Sequence, residues 1–435
     1  MAVTGSAVGL GNIWRFPYIT GEYGGGAFVI LYIFFVIVMG LPVMLSEVML
    51  GRLGKRNTVD TFSRFHREYG ASPIWKVIGL MGIITGVLIL SFYSVIAGWL
   101  VVYVFHSATG TFESQSVEGF SNLFNTLLAD PKQMILYHGL FMLITAIVCM
   151  RNINAGIGKV VYYFMPLLLI LIIGIIVYNF YNADMGQAVR FLFLFRWQDM
   201  QPDVILVALG QAFFSLSLGM GAVMIYGSYL SDSEPLLATT STIVVIDTLV
   251  AILACLMIFP ILFAFNLEPA AGPGLIFKTL PIAFSQMPGG ALLGFIFFVL
   301  LFIVAWTSAF SLLEPAVAWL TEHTRWTRST AAAIAALVIW LLGFATVFSF
   351  NIWQEVELWE MTPFNLIDNL TSNITLPLGG LLIVLFAGWV LPATASKKQF
   401  GSSSNTYYQI WRWSARYFCP ILILAILIAN QLGET

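Results

Sequence analysis

The chain has 435 residues, of which 59% are hydrophobic and 9% are charged, and its formal net charge is −2. Soluble domains carry about 25% charged residues, so this composition excludes an ordinary soluble domain and predicts an integral membrane protein. The near-neutral charge does not indicate a nucleic-acid partner. The three scattered cysteines form neither a disulfide framework nor a metal-binding spacing.

Apolar stretches long enough to cross a bilayer, which takes about 20 helical residues, recur along the whole chain. They cover residues 1–22, 27–51, 74–105, 134–150, 157–181, 203–230, 240–265, 290–320, 331–350, 373–394 and 410–430. We therefore predict an all-α integral membrane protein with eleven transmembrane helices.

The basic residues between these stretches predict the orientation of the chain. One set of loops holds Arg52, Lys55, Arg56, Arg64, Arg67, Arg151, Lys159, Arg325, Arg328, Lys397 and Lys398. The opposite set holds Lys132, Arg190, Arg196 and Lys278. Because lysine and arginine are enriched in cytoplasmic loops, we expect a cytoplasmic N-terminus in the cell inner (plasma) membrane. Segments 106–133, 182–202, 266–289 and 351–372 would then face the outside.

The first stretch carries residues that break a helix, in the sequence GSAVGLGNIWRFP at positions 5–17. Glycine costs about 1 kcal/mol of helix propensity and proline about 3, and an opened backbone in a bilayer persists only against protein or a water-filled cavity. Freed carbonyls suit a hard cation, and freed N–H groups suit a carboxylate. The alternative is that the glycines only allow tight helix packing, but the adjoining Asn12, Arg15 and Pro17 favour a binding site.

The sixth stretch is interrupted as well, by Ser215-Leu216-Ser217-Leu218-Gly219-Met220-Gly221. Interrupted helices at corresponding positions of two halves indicate a transporter binding site near the midplane. The thioether of Met220 suits apolar side chains of several sizes.

Ionisable residues inside a membrane are functional candidates by default. Asp247 is the only acidic residue of the seventh stretch; a sodium ion could balance its charge, and a polar helix contact is the alternative. We expect Glu47 to accept from N–H groups freed by a break. Arg15 is interpreted as an outer gate or as a snorkelling side chain at the interface.

Three weaker signals accompany these charges. The hydroxyls of Thr307 and Ser308 lie side by side in the eighth stretch. Gly156 and Pro166 mark either an ordinary kink or a segment of the fifth helix that unwinds to admit water from inside. The four histidines make no zinc-ligand pair and no phosphate loop is present, so the sequence does not predict an enzyme.

Several motifs together resemble the neurotransmitter:sodium symporter family of LeuT type. They are GSAVGLGNIWRFPY, GGGAFVILY, GLPVMLSEVMLGR, GQAFFSLSLGMG and WTSAFSLLEP. The resemblance implies one membrane transport domain over residues 1–435, built as a 5+5 inverted repeat. Residues 1–181 would form the first five-helix repeat, 203–394 the second, and 405–430 the extra helix.

The resemblance also implies two sodium sites and a substrate site. The first sodium would use Ala7, Asn12, Ser215 and Asp247, and the second Gly5, Val8, Val304, Thr307 and Ser308. The substrate carboxylate would meet Leu10, Gly11 and Tyr93, and its amine Ala7, Phe214 and Ser217. The substrate side chain would lie among Ile89, Phe92, Phe214, Met220, Ser308 and Leu312.

Three departures from the family pattern qualify these expectations. Tyr32, Gln211 and Ser215 match a chloride environment, but Asp247 supplies a built-in negative charge, so no chloride is expected. The basic residue and tryptophan that would form an inner gate with Glu322 are absent; if the short start is native, this gate should be weak. The acid that pairs with Arg15 is not aligned: Asp368 is near, and Thr371 stands at the gate position.

The function that we predict is a sodium-coupled symporter importing hydrophobic, aliphatic and aromatic, L-amino acids by alternating access. Membrane lipid is the expected surrounding, and the sequence leaves the oligomeric state open. The alternatives are a transport-inactive receptor or scaffold of the same fold that binds an amino acid, and a channel, which paired broken helices argue against.

Overall fold

The computed structural model describes residues 8–111, 117–151, 154–267, 274–401 and 405–432. The spanning helices are α1 (a π-helical turn Gly11–Arg15 continued by Phe16–Glu22), α2 (Gly26–Gly54), α3 (Pro73–Ala108), α4 (Pro131–Cys149), α5 (Gly156–Asn182), α6a (Pro202–Ser215), α6b (Ala222–Ser228), α7 (Leu236–Ala264), α8 (Gly290–His323), α9 (Arg328–Ser349), α10 (Pro363–Val390) and α11 (Asn405–Gln431). Shorter helices connect them at Thr58–Tyr69, Val117–Ala129, Met185–Phe193, Leu280–Gln286 and Ala393–Gln399.

Nine of the helices in the described ranges are long and apolar enough to span a membrane. The stretches that do not qualify are the first and the sixth, which the sequence predicted to be broken. In the sixth, α6a and α6b are separate helices; in the first, residues 1–7 lie outside the described residues.

The tenth helix begins earlier than we predicted. It starts at Pro363 and not at 373, so much of segment 351–372 is helical. The hydroxyl of Thr362 accepts from Asn365 N at 3.3 Å, and proline occupies the first turn, which together make a regular helix start. Polar residues such as Asn365, Asp368 and Asn369 lower the hydropathy of its first two turns, so the sequence-based prediction placed the start too late.

Helix packing brings the two broken helices together. α1 packs against α7 and α6a, and α2 packs against both halves of α6. The crossing of α2 and α6b is close because glycines lie at the contact: a Cβ at Gly51 would overlap the carbonyl oxygen of Met224, and one at Gly227 would overlap that of Val48. α8 packs along α3, and these two helices form the other wall around the broken helices.

Candidate substrate and sodium site

The break in α6 is a run of turns over residues 216–221. Ser217, Gly219 and Gly221 have φ angles of 54°, 84° and 75°, a left-handed conformation that ends a helix and that glycine adopts without strain. The carboxylate of Glu47 on α2 accepts from Gly219 N at 3.1 Å. The contact expected of Glu47 with a freed backbone group is therefore present at this break.

The break in α1 precedes its helical turn. Val8 and Gly9 are not helical, and the Asn12 side chain turns back on them: Gly9 N donates to Asn12 Oδ1 at 2.9 Å. N–H groups in the first turn of a helix have no intrahelical acceptor, so that of Gly11 is available to a ligand, and that of Leu10 lies beside the Tyr93 hydroxyl. Gly5 and Ala7, predicted as sodium ligands, lie outside the described residues.

A buried polar cluster joins α1, α6a and α7 at these breaks. Asn12 Nδ2 donates to Asp247 Oδ1 at 2.9 Å and to Ser215 Oγ at 3.0 Å. Ser215 Oγ donates to Asp247 Oδ2 at 2.7 Å and also accepts from Tyr32 Oη at 3.0 Å. The structure thus brings together the three described residues predicted for the first sodium.

The Asp247 carboxylate is fully buried, and no lysine or arginine of the described ranges forms an ion pair with it. An uncompensated buried charge costs several kcal/mol. Carboxylate, amide and hydroxyl oxygens are the ligands that a hard cation prefers. The cluster therefore fits a small cation such as sodium.

The hydroxyls of α8 reach the other side of the α1 break. Ser308 Oγ donates to the Val8 carbonyl at 2.8 Å, and Thr307 Oγ1 donates to the Val304 carbonyl at 3.0 Å. Among the described residues predicted for the second sodium, Ser308 therefore contacts Val8 directly, and Val304 and Thr307 lie within about one turn of Ser308 on α8.

An apolar cavity lies between the two breaks. Most residues predicted to contact substrate line it: Leu10, Gly11, Ile89, Tyr93, Phe214, Ser217, Met220, Ser308 and Leu312. Tyr93 Oη is buried beside the Ser308 side chain and the Leu10 N–H group, but within the described residues it completes no hydrogen bond of full geometry. A polar group of a ligand would satisfy it.

Phe92 is the exception among the predicted substrate contacts. It does not line the described cavity but packs on Phe364 of α10, with ring centroids 5.8 Å apart. Ile89 and Tyr93 are four residues apart and share one face of α3. The structure therefore does not bring Phe92 to the cavity with the other predicted substrate contacts.

The comparisons with known proteins agree with this geometry. The family described as "Sodium:neurotransmitter symporter family" matches residues 1–127 and 131–433. The chain belongs to this family.

Two curated relatives are similar along their whole length. The chain is 33% identical to the uncharacterized sodium-dependent transporter YhdH of Bacillus subtilis (strain 168), covering 100% of this chain and 96% of the relative. It is 34% identical to an uncharacterized sodium-dependent transporter of Haemophilus influenzae, covering 99% and 96%.

A solved structure is similar in fold as well. The crystal structure of MhsT in complex with L-phenylalanine matches with a TM-score of 0.90 and 39% identity, covering 99% of this chain and 97% of that one. The predicted family and LeuT-type fold are confirmed. The symporter family also confirms a multi-pass membrane transporter that depends on sodium and is not an enzyme.

Arg15 and Phe214 lie together beside the cavity. The Arg15 guanidinium carbon lies 4.1 Å from the centroid of the Phe214 ring, and Phe214 lines both the cavity and a vestibule between α1, α6a, α10 and α11. Asp368 interacts electrostatically with Arg15, although no ion pair within 4.0 Å joins them in the described part of the chain. Thr371 bonds back to its own helix.

The C-terminal end of α8 carries Glu322, the acid that was predicted for the inner gate. Glu322 accepts from Asn57 N at 3.2 Å and from Asn57 Nδ2 at 2.8 Å. Gly156 lies in the π-helical turn Asn154–Gly158 where α5 begins, and Pro166 lies inside α5. The two irregular positions expected of α5 are thus at its start and in its first half.

Sequence reasoning missed two features of this region. Ser311, three residues beyond Ser308, also lines the cavity; its spacing along one helix face was the available signal. Glu314 is fully buried and paired with Arg328 at 2.6 Å. The sequence places this acid inside the eighth stretch, but which cation pairs with it depends on how α8 and α9 pack.

Proposed function

We propose that this protein is a sodium-coupled symporter that imports hydrophobic, aliphatic and aromatic, L-amino acids by alternating access. The observation that carries the proposal is the unpaired Asp247 carboxylate beside an apolar cavity at two helix breaks. A cation and a zwitterion can occupy these adjacent places together.

The cavity offers separate groups to each part of an amino acid. The N–H groups of Leu10 and Gly11 and the Tyr93 hydroxyl suit the carboxylate, as helix N-termini suit anions. Carbonyls of Phe214 and Ser217, with Ala7 from outside the described residues, suit the amine. Apolar side chains then receive the side chain of the substrate. The match to MhsT, which was solved with L-phenylalanine, supports the same substrate class.

Two sodium ions are proposed as co-substrates. Asn12, Ser215 and Asp247 would bind the first with Ala7, and Val8, Val304, Thr307 and Ser308 would bind the second with Gly5. Moving two charges with a zwitterion gains about 4.6 kcal/mol per 100 mV of membrane potential. If the substrate carboxylate also touches the first sodium, each ligand raises the affinity of the other.

Chloride is not required in this proposal. Asp247 supplies a fixed negative charge at the cluster that Tyr32 and Ser215 share, so the sodium charge is balanced within the protein. A second anion there would be repelled by the carboxylate.

Access from the two sides would alternate around this fixed site. Arg15 over Phe214 closes one side. On the other, movement of the region of Glu322 and unwinding of α5 between Gly156 and Pro166 would open the path. The excess of basic residues in one set of loops supports a cytoplasmic N-terminus in the plasma membrane, and the paired breaks support two inverted five-helix repeats.

Uptake by proteoliposomes tests the proposal. The purified full-length chain should accumulate labelled leucine, phenylalanine or tryptophan only when sodium is directed inward, and faster with a negative interior. Sodium-dependent binding without accumulation would show a receptor or scaffold of the same fold, and sodium-independent flux in both directions would show a channel. Either result would refute the proposed symport.

A further inference from the structure

Two buried hydroxyl groups meet where α8 and α6b approach each other at the cavity. Ser311 Oγ lies 3.2 Å from Tyr226 Oη, and Ser311 lines the cavity. Both residues are buried, so bulk water does not compete for their hydrogen bonds. The neighbouring walls at Ile89, Met220 and Leu312 are apolar.

The Ser311 hydroxyl is turned away from its own helix. Serine and threonine in helices commonly bond to the carbonyl four residues earlier, as Thr321 of α8 does at 2.7 Å. Among the described residues, the hydrogen-bond partner of Ser311 Oγ is Tyr226 Oη alone. A hydroxyl offers one donor and two acceptor positions, so this contact leaves capacity for a ligand.

The position of Ser311 relative to the α1 break indicates which part of a bound substrate would lie beside it. It follows Ser308 by three residues, or about 4.5 Å along the helix axis, and Ser308 is bonded to Val8 at that break. The proposed function, on which this step rests, places the substrate carboxylate and amine at the breaks. Ser311 would therefore lie beside the side chain of the substrate.

From this geometry we infer that Ser311 determines specificity by recognising one N–H or O–H group on an otherwise apolar aromatic substrate. Tryptophan and tyrosine are the natural amino acids with such side chains. Tyr226 is a positioning residue: its hydroxyl holds Ser311 away from the helix backbone and toward the cavity. A net hydrogen bond of this kind changes affinity by about two- to tenfold.

Matched ligands isolate this hydrogen bond from size. Tryptophan is compared with benzothienylalanine, which replaces the indole N–H by sulfur, in sodium-dependent binding to the purified full chain. Wild type should bind tryptophan about two- to tenfold more tightly. Ser311→Ala and the near-isosteric Ser311→Cys should bring this ratio close to one, and the ratio cancels any change in affinity that both ligands share. Tyr226→Phe should lower the same ratio.

The control is Thr321→Val on the same helix, which removes a hydroxyl bonded only to its own backbone and should keep the wild-type ratio. An unchanged ratio in both Ser311 variants would overturn the inference while leaving the proposed function intact. A wild-type ratio of one would also overturn it. Absence of sodium-dependent phenylalanine binding to the wild type would instead refute the proposed function, and this inference with it.

Discussion

Replacing Asp247 by asparagine removes the buried charge and keeps the shape of the side chain. The amide can still contact Asn12 and Ser215, so the cluster remains packed and only its charge changes. We expect sodium affinity to fall sharply, because in the described residues Asp247 is the one carboxyl group of this cluster.

The size of the effect follows from the electrostatics of the site. Two unit charges 4 Å apart interact by about 4 kcal/mol at an effective dielectric of 20. An asparagine carbonyl still offers a ligand dipole, so we expect a loss of about 2–3 kcal/mol, and at 1.4 kcal/mol per tenfold the half-saturating sodium concentration rises about 30- to 150-fold. Substrate binding should weaken with it through linkage.

Sodium titrations of phenylalanine binding and uptake provide the assay, and thermal unfolding shows whether Asp247→Asn remains folded. Asp203→Asn is a matched control, because Asp203 is exposed at the start of α6a. Added chloride should restore part of the lost affinity if the site needs a negative charge rather than this carboxylate. A folded Asp247→Asn variant with sodium dependence within threefold of wild type would refute the reasoning.

Three further outcomes are expected. Wild-type uptake should be unaltered when gluconate replaces chloride, and a steep loss would show that Asp247 does not substitute for the anion. Tyr93→Phe should weaken substrate binding about two- to tenfold, because it removes one net hydrogen bond. Equilibrium binding at saturating sodium measures this change, and an unchanged affinity would show that the substrate carboxylate does not contact Tyr93. Gly51→Ala should lower the unfolding temperature of the detergent-solubilised protein because its Cβ would meet the Met224 carbonyl, whereas Gly174→Ala, with open space around it, should not.

The sequence identified the irregular positions of the fold because glycine, proline and polar residues are costly in a membrane helix. The break at Ser217–Gly221 follows from this local chemistry. So does the hydrogen bond that Glu47 accepts from a backbone N–H group at that break. Long-range partners do not: Asn12 and Asp247 are 235 residues apart, and only the resemblance to a family joined them before the structure. Whether Phe92 meets the cavity is likewise decided by packing, since its ring lies against Phe364 of α10.

On the proposed function, the cation that balances Asp247 comes from outside the protein. The buried acid Glu314 has a basic residue of the chain as its partner, Arg328, whereas the buried Glu47 is held by the Gly219 N–H group. Asp247 is equally buried and has hydrogen-bond donors but no such partner among the described residues. Hydrogen bonds from neutral groups only partly offset the loss of solvation. On the proposed function, a mobile cation supplies the charge balance of this carboxylate, and this would link sodium to whatever occupies the adjacent cavity.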